Sequence, residues 1–179
     1  QWGCTIFNQI PVVFALGIPI GLAKKANGRA ALEAFLIYMA FNYVINGFLT
    51  AFPSFGVDVT PALKLPTGLT RIAGVITLDT SIIGSILIAS IAVWIHNKYF
   101  DKKLPELLGI FQGTTFVIII GFLLMIPMAY LTALLWPKVQ LGIVALQGFL
   151  KTSGVIGVFS YTFLERILIP TGLHHFIYG

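Results

Sequence analysis

The chain has 179 residues, of which 58% are hydrophobic and only 9% are charged. Soluble domains carry about a quarter of their residues as charged side chains, so the composition excludes an ordinary soluble domain and indicates a membrane-embedded one. The formal net charge is +5, but the basic residues lie in short loops between apolar segments and are not interleaved with exposed aromatic residues, which excludes a nucleic-acid-binding surface.

Five apolar segments are long enough to cross a bilayer, since a hydrocarbon core of roughly 30 Å requires about 20 residues in a helix. Backbone groups at this depth find no water, so each segment is predicted to be a helix that satisfies its own hydrogen bonds. We therefore expect an all-α integral membrane protein, a polytopic helical bundle with about five spans plus re-entrant or interfacial segments. The predicted spans are Cys4–Ala23, Ala30–Phe52, Ile72–Ile95, Thr114–Trp136 and Val139–Leu164.

Two short basic loops orient these spans. One follows the first span and the other follows the third, so alternate crossing places both loops on the same side of the membrane. The positive-inside rule assigns that side to the cytoplasm, and the stretches 52–68 and 136–138 then face the opposite side. The loop residues that carry this prediction are Lys24, Lys25, Arg29, His96, Lys98, Lys102 and Lys103.

Asp79 is the clearest ionisable residue inside a predicted span. Such residues are rare and usually face a partner or a water-filled cavity. Two interpretations stay open: a polar group in a substrate or ion path, or a carboxylate paired with Lys151 of the fifth span. The neighbouring Thr80 can bond its own helix backbone or line a hydrophilic cavity.

Three further polar residues lie in the second predicted span. Glu33 is near its cytoplasmic end, and we expect its side chain to reach the membrane interface. Asn42 and Asn46 are four residues apart and share one helix face, so we expect them to form hydrogen bonds between helices.

The chain ends in the segment LERILIPTGLHHFIYG (164–179). Pro170 disfavours a continuous helix and Gly172 allows unusual dihedral angles, so the last helix is predicted to end near Ile169. Arg166 and His174 offer a guanidinium group and an imidazole, which together suit a polyhydroxylated ligand. The alternative is a helix end that only anchors the chain at the membrane surface.

No metal site or cofactor is expected from the sequence. Cys4 is the single cysteine of the chain, so no disulfide or paired-cysteine metal site can form within it. Nucleotide-binding glycine motifs and the zinc-protease motif do not occur either.

Three segments together resemble a known family. The run LDTSIIGSILIASIAVWIHNKYFDKKLPELLGIFQGTTFV (78–117) has an LDT helix start, a helix ending in HN, then LP and an FxG turn. The segment 7–35 contains an early helix that closes in GLAK and a basic loop, and 164–179 contains TGLHH. This order resembles enzyme IIC, the membrane permease component of the sugar phosphotransferase system, within the glucose superfamily. The wording ERxLIPxGLHHxIY is most similar to the α-glucoside and maltose branch.

The resemblance implies a multi-pass permease of the bacterial plasma membrane that binds maltose or another α-glucoside. It implies Arg166 and His174 as sugar contacts, with His175 as a weaker candidate, whereas Asp79 and Thr80 match a family segment. No residue of this chain is expected to be catalytic. The implied partners are the sugar, a phosphorylated enzyme IIB domain that carries a phosphocysteine, the lipid bilayer and a second copy of the chain, paired through the early helices.

The resemblance also bounds the domain. Residues 1–179 are expected to be part of a permease domain, without the phosphocysteine domain or a later membrane segment that carries an essential glutamate. The alternative function is a cation-coupled secondary transporter or a non-transporting membrane scaffold. In that case Asp79 and Lys151 would be coupling or packing groups.

Overall fold

The structure is a computed structural model that describes residues 9–52, 68–72 and 74–152, together with residues 159, 162–163 and 166–167. Within residues 9–152, as far as they are described, the chain forms four α-helices, a two-stranded hairpin and a 3-10 helix. In chain order these are α1 (Ile10–Leu22), α2 (Asn27–Ala51), β1 (Leu69–Ile72), β2 (Val75–Leu78), α3 (Ser81–Tyr99), the 3-10 helix Glu106–Phe111 and α4 (Thr114–Thr152).

Helix α2 is the centre of the bundle and packs against α1, α3, α4 and strand β2. One face of this helix is buried along its length because apolar residues recur every three or four positions. Two small residues of α4, Ala129 and Ala133, belong to the same core as Ile37 and Ile45 of α2. At Gly121 of α4 a side-chain methyl group would overlap Ile37, so glycine allows the two helices to approach closely.

Within the described residues, three helical segments are long and apolar enough to cross a membrane: Asn27–Ala51, Ser81–Tyr99 and Thr114–Gly142. The first of them confirms the predicted second span to within a few residues. Helix α1 has 13 residues, which corresponds to about 20 Å at 1.5 Å per residue. It is shorter than the predicted span Cys4–Ala23, whose first residues lie outside the described part.

The predicted third span is wrong at its beginning. Ile72 and Val75–Leu78, predicted as helix, belong to an antiparallel hairpin in which Leu69 pairs with Leu78 and Ile72 pairs with Val75. Gly74 has φ +87°, which suits a two-residue hairpin turn. The β-branched residues on either side favour strands, and the helix begins only at Ser81.

The predicted break between the fourth and fifth spans is also wrong. Helix α4 runs without interruption for 39 residues, through Pro127 and Pro137. Its length is about 58 Å, nearly twice a hydrocarbon core of roughly 30 Å. Residues 139–152, predicted as the start of a separate span, therefore extend α4, and five spans are not confirmed.

Candidate functional site

Two polar joints hold the bundle, one at each end. We call the first the basic-end joint, formed by Glu33, His96, Asn97 and the loop residues Lys24 and Lys25. The second is the hairpin joint, formed by Asp79, Trp136, Gln140, Asn46 and the backbone of the hairpin.

A buried acid–imidazole pair forms the centre of the basic-end joint. Glu33 Oε2 lies 2.6 Å from Nδ1 of His96, and the side chains are 0% and 2% exposed, respectively. On its other side, Nε2 of His96 lies 2.9 Å from the backbone oxygen of Lys25. The ring thus connects α2, the end of α3 and the loop between α1 and α2.

The two neighbours of the His96 ring determine how many protons the pair carries. The Lys25 carbonyl oxygen can only accept a hydrogen bond, so Nε2 carries a hydrogen. The contact at Nδ1 then needs one more proton, which resides either on the imidazole or on the Glu33 carboxyl group. In both forms the pair holds a single proton between its two groups, away from solvent.

The loop between α1 and α2 is attached to the end of α3 by further hydrogen bonds. The Lys24 amide donates to Asn97 Oδ1 at 2.9 Å, and Asn97 Nδ2 donates to the Leu22 carbonyl at 3.4 Å. Lys25 Nζ lies 2.6 Å from Asp101 Oδ2. The GLAK and HN segments are therefore in contact, which confirms the prediction that the two basic loops lie on the same side.

The prediction for Glu33 is wrong, because its side chain is buried in this joint and does not reach an interface. His96, predicted to be a loop residue, lies in the last turn of α3 and is 1% exposed. Sequence reasoning missed this pair. The available signal was indirect. Glu33 lies next to one basic loop and His96 next to the other, and both loops are predicted to lie on the same side of the membrane.

Asp79 is part of the hairpin joint and does not lie inside a span. Its Oδ1 accepts hydrogen bonds from the backbone amide of Ser81 at 2.9 Å and from the Ser81 hydroxyl at 3.1 Å. Its backbone amide donates to the Gly68 carbonyl at 3.0 Å. The expectation of an ionisable group within a helix is corrected, since Asp79 lies between β2 and the first residue of α3.

Thr80 follows Asp79 and is 3% exposed. Its hydroxyl lies directly against Gly84, where a methyl group on residue 84 would overlap it. Within the described residues this hydroxyl has no hydrogen-bond partner. Thr80 therefore packs at the start of α3 in a site that only glycine at position 84 leaves open.

Helices α2 and α4 hold the hairpin through side-chain donors. Trp136 Nε1 donates to the Asp79 carbonyl at 2.7 Å, and Gln140 Nε2 donates to the Gly68 carbonyl at 2.9 Å. Asn46 Nδ2 donates to the Ile76 carbonyl at 2.7 Å. Asn42 donates to the Tyr38 carbonyl of its own helix at 2.8 Å. Neither asparagine amide donates to another helix, so the prediction of helix–helix hydrogen bonds is wrong for these donors.

The residues predicted to contact sugar are only partly described. Arg166 lies in a short helical piece and is exposed, whereas Glu165, His174 and His175 lie outside the described residues. The side chain of Lys151 is also outside them, so its pairing with Asp79 stays a prediction. Among the residues that the structure describes, no cluster has the composition of a metal site.

Comparison with known proteins identifies the family. The family model "Phosphotransferase system, EIIC" matches residues 1–179. A relative in Fusobacterium mortiferum, the PTS system alpha-glucoside-specific EIICB component, is 60% identical over 180 residues, which cover 100% of this chain and 34% of the relative. The PTS system maltose-specific EIICB component of Bacillus subtilis is 58% identical, with 99% of this chain and 34% of the relative covered.

A third relative, the phosphotransferase IIC component GlvC of Escherichia coli, is 58% identical and is covered to 49% by this chain. The chain thus spans about a third to a half of the length of these relatives. Together with helices long enough to cross a bilayer, the match makes the chain a multi-pass protein of the bacterial inner membrane. The resemblance found in the sequence is confirmed, and the chain belongs to the EIIC family of the phosphotransferase system.

Proposed function

We propose that this chain forms part of a sugar permease that binds an α-glucoside such as maltose and moves it across the membrane for coupled phosphorylation. The observation that carries the proposal is the identity of 58–60%, over essentially the whole chain, to relatives named for α-glucosides and for maltose. The membrane part contributes binding and positioning of the sugar. The phosphoryl group comes from phosphoenolpyruvate through a partner domain.

The proposed partner is a phosphorylated enzyme IIB domain. Support comes from the two relatives that are named EIICB components, in which IIC and IIB belong to one protein. In this proposal residues 1–179 are a partial permease domain that supplies sugar binding and no catalytic group. The chain alone then neither phosphorylates nor completes transport.

Arg166 and His174 are the proposed sugar contacts, with His175 as a weaker candidate. Arg166 is exposed, so its fixed fork of donors is available to paired hydroxyl groups of a sugar. An imidazole can both donate to a hydroxyl group and accept from one in its neutral form. These two side chains would therefore bind sugars according to the arrangement of hydroxyl groups on the sugar ring.

Asp79 and Thr80 have a weaker claim to contact sugar. The carboxylate of Asp79 accepts two hydrogen bonds from Ser81, and Thr80 is buried against Gly84. Both arrangements favour a role in fixing the backbone at the start of α3. A direct sugar contact by either residue stays a prediction.

We also propose a homodimer that is formed through the early helices. Gly17 and Gly21 are four residues apart on α1, and at both positions the space for a side chain is open. They lie in an apolar groove with Val13, Phe14 and Ile18, and a small-xxx-small pattern of this kind allows two membrane helices to pack closely. Gly17→Leu and Gly21→Leu together should convert a dimer to a monomer in light scattering, whereas an unchanged mass would refute this interface.

A binding titration tests the function and the proposed contacts. The intact protein that contains this chain is purified in detergent and titrated with maltose, glucose and N-acetylglucosamine. We expect maltose to bind most tightly and its binding to be lost in Arg166→Ala and in His174→Ala, while both variants stay folded. Arg71→Ala is the matched control, since Arg71 is an exposed arginine on β1. Maltose binding that survives both substitutions would refute the two contacts, and no sugar binding would refute the function.

The alternative is a cation-coupled transporter or a membrane scaffold. A coupled transporter requires a sodium or proton gradient and no phosphoenolpyruvate, and a scaffold binds no sugar. The family match does not favour either of them.

A further inference from the structure

Two lysine ammonium groups, one in the last turn of α3 and one three residues after the helix, lie over the same aromatic ring. Lys98 Nζ is 5.5 Å from the centroid of the Tyr99 ring, and Lys102 Nζ is 5.1 Å from the same centroid. Lys98 Nζ also lies 4.7 Å from the ring centroid of Trp94. The rings attract both cations, but two positive charges gathered at one ring repel each other unless an anion joins them.

The aromatic base of this cluster is held in place by its neighbours. The Tyr99 ring contacts Trp94 edge to face with centroids 6.4 Å apart, and it contacts Phe116 of α4 in the same way at 6.1 Å. Tyr99 is therefore fixed between α3 and α4. The two ammonium groups rest on a surface whose position is set by the fold.

Acidic side chains nearby do not neutralise these lysines. Asp101 is bound to Lys25 at 2.6 Å, and Glu106 is an exposed residue of the 3-10 helix. Within the described part of the chain, neither Lys98 nor Lys102 forms an ion pair. Both positive charges are thus available to an external anion.

An apolar stripe leads from this cluster along the outer face of α3. Ile83, Leu87 and Trp94 are 37%, 45% and 56% exposed, respectively, and their spacing with Lys98 places them on one face of the helix. From Ile83 to Trp94 the stripe is about 16 Å long, roughly half of a hydrocarbon core of about 30 Å. It matches the depth of one leaflet of the bilayer.

We propose that this surface binds an anionic phospholipid, with its phosphate group between Lys98 and Lys102 and an acyl chain along Ile83, Leu87 and Trp94. Tryptophan and tyrosine prefer the level of the lipid headgroups, and lysine side chains near a helix end extend towards that level. The exposed apolar residues of α3 favour a lipid over an acidic protein, which would contact the lysines without needing these membrane-facing residues.

Native mass spectrometry of the intact protein tests this site with phosphatidylglycerol and phosphatidylcholine as probes. The wild type should retain phosphatidylglycerol in preference to phosphatidylcholine. In the double variant K98Q/K102Q this preference should fall about thirtyfold, because each surface lysine contributes about 1 kcal/mol to anionic lipid binding. K98R/K102R should keep the preference. Lys138→Gln, which removes an exposed lysine of α4, is the matched control and should also keep it.

Three results would overturn the proposal. The first is an unchanged phosphatidylglycerol preference in K98Q/K102Q. The second is displacement of the lipid by inorganic phosphate at equal concentration, which would identify a site for free phosphate. The third is loss of binding to the phosphorylated IIB domain in K98Q/K102Q with lipid binding intact, which would identify a protein-docking surface. Trp94→Ala gives an independent check, since it should weaken lipid binding without changing the charge.

Discussion

Replacing His96 with leucine would leave the Glu33 carboxyl group inside the bundle without its partner. The His96 ring contacts Glu33 at 2.6 Å and the Lys25 carbonyl at 2.9 Å, so both contacts would be lost. Removing one member of a buried pair costs about 3–5 kcal/mol. For an unfolding unit of about 150–250 residues 1 kcal/mol shifts the melting temperature by about 2–4 °C, so the transition of the unit that contains this bundle should lie roughly 10 °C lower in His96→Leu than in the wild type.

The assay is thermal unfolding of the intact protein in detergent. Glu33→Leu, His96→Leu and the double variant are compared, with Glu106→Leu as the control because Glu106 is exposed. The double variant leaves neither the carboxyl group nor the imidazole buried without its partner. Its loss of stability should therefore be clearly smaller than the sum of the two single losses. Glu106→Leu should change the free energy of unfolding by less than about 0.5 kcal/mol. A His96→Leu variant that melts within about 2 °C of the wild type, or single losses that simply add, would refute the stabilising role of this buried pair.

Three further variants test other parts of the bundle. Gly121→Ala should lower the melting temperature because the added methyl group overlaps a buried side chain of α2, whereas Gly142→Ala in the same helix meets no atom and should not; equal effects would contradict this packing. Trp136→Phe removes the indole donor from the Asp79 carbonyl and should cost about 1–3 kcal/mol in thermal unfolding, so an unchanged melting temperature would argue against this bond. Asp101→Asn breaks an ion pair that is about two-thirds exposed and should cost less than about 1 kcal/mol; a larger loss would show that this pair is not a surface pair.

The helical class and the central helix could be predicted from hydrophobicity alone. The predicted span Ala30–Phe52 agrees with the observed helix Asn27–Ala51 to within a few residues. A long apolar run bounded by basic and polar residues restricts where a membrane helix can begin and end. Hydrophobicity could not separate strand from helix at 69–78, since Val, Ile and Leu are apolar in both. Gly68 and Gly74, with the β-branched residues between them and after them, were the local signal for the hairpin.

The continuous helix α4 could not be predicted from its composition. The WPK segment looks like a turn because Pro137 removes one backbone donor, yet proline is tolerated in apolar helices when the neighbouring structure compensates. The Glu33–His96 pair was missed for a different reason. Its members are 63 residues apart, and the sequence links them only indirectly, because each lies next to one of the two basic loops that are predicted to share a side of the membrane.

The motifs that indicate the family contain residues that form contacts between distant parts of the chain. The GLAK and HN segments, far apart in the chain, meet through Lys24 and Asn97. The LDT segment supplies Asp79, which joins the hairpin to the start of α3. The sugar contacts that we propose lie near the end of the chain, and Arg166 is the one among them that the structure describes.

The central claim is that this chain belongs to a permease driven by phosphoenolpyruvate. Its most direct test uses membrane vesicles that contain the intact protein, labelled maltose, the soluble phosphotransferase proteins and phosphoenolpyruvate. Uptake should require phosphoenolpyruvate, should yield phosphorylated maltose and should persist when ionophores dissipate the proton and sodium gradients. Uptake of unmodified maltose that needs a gradient and ignores phosphoenolpyruvate would contradict the account.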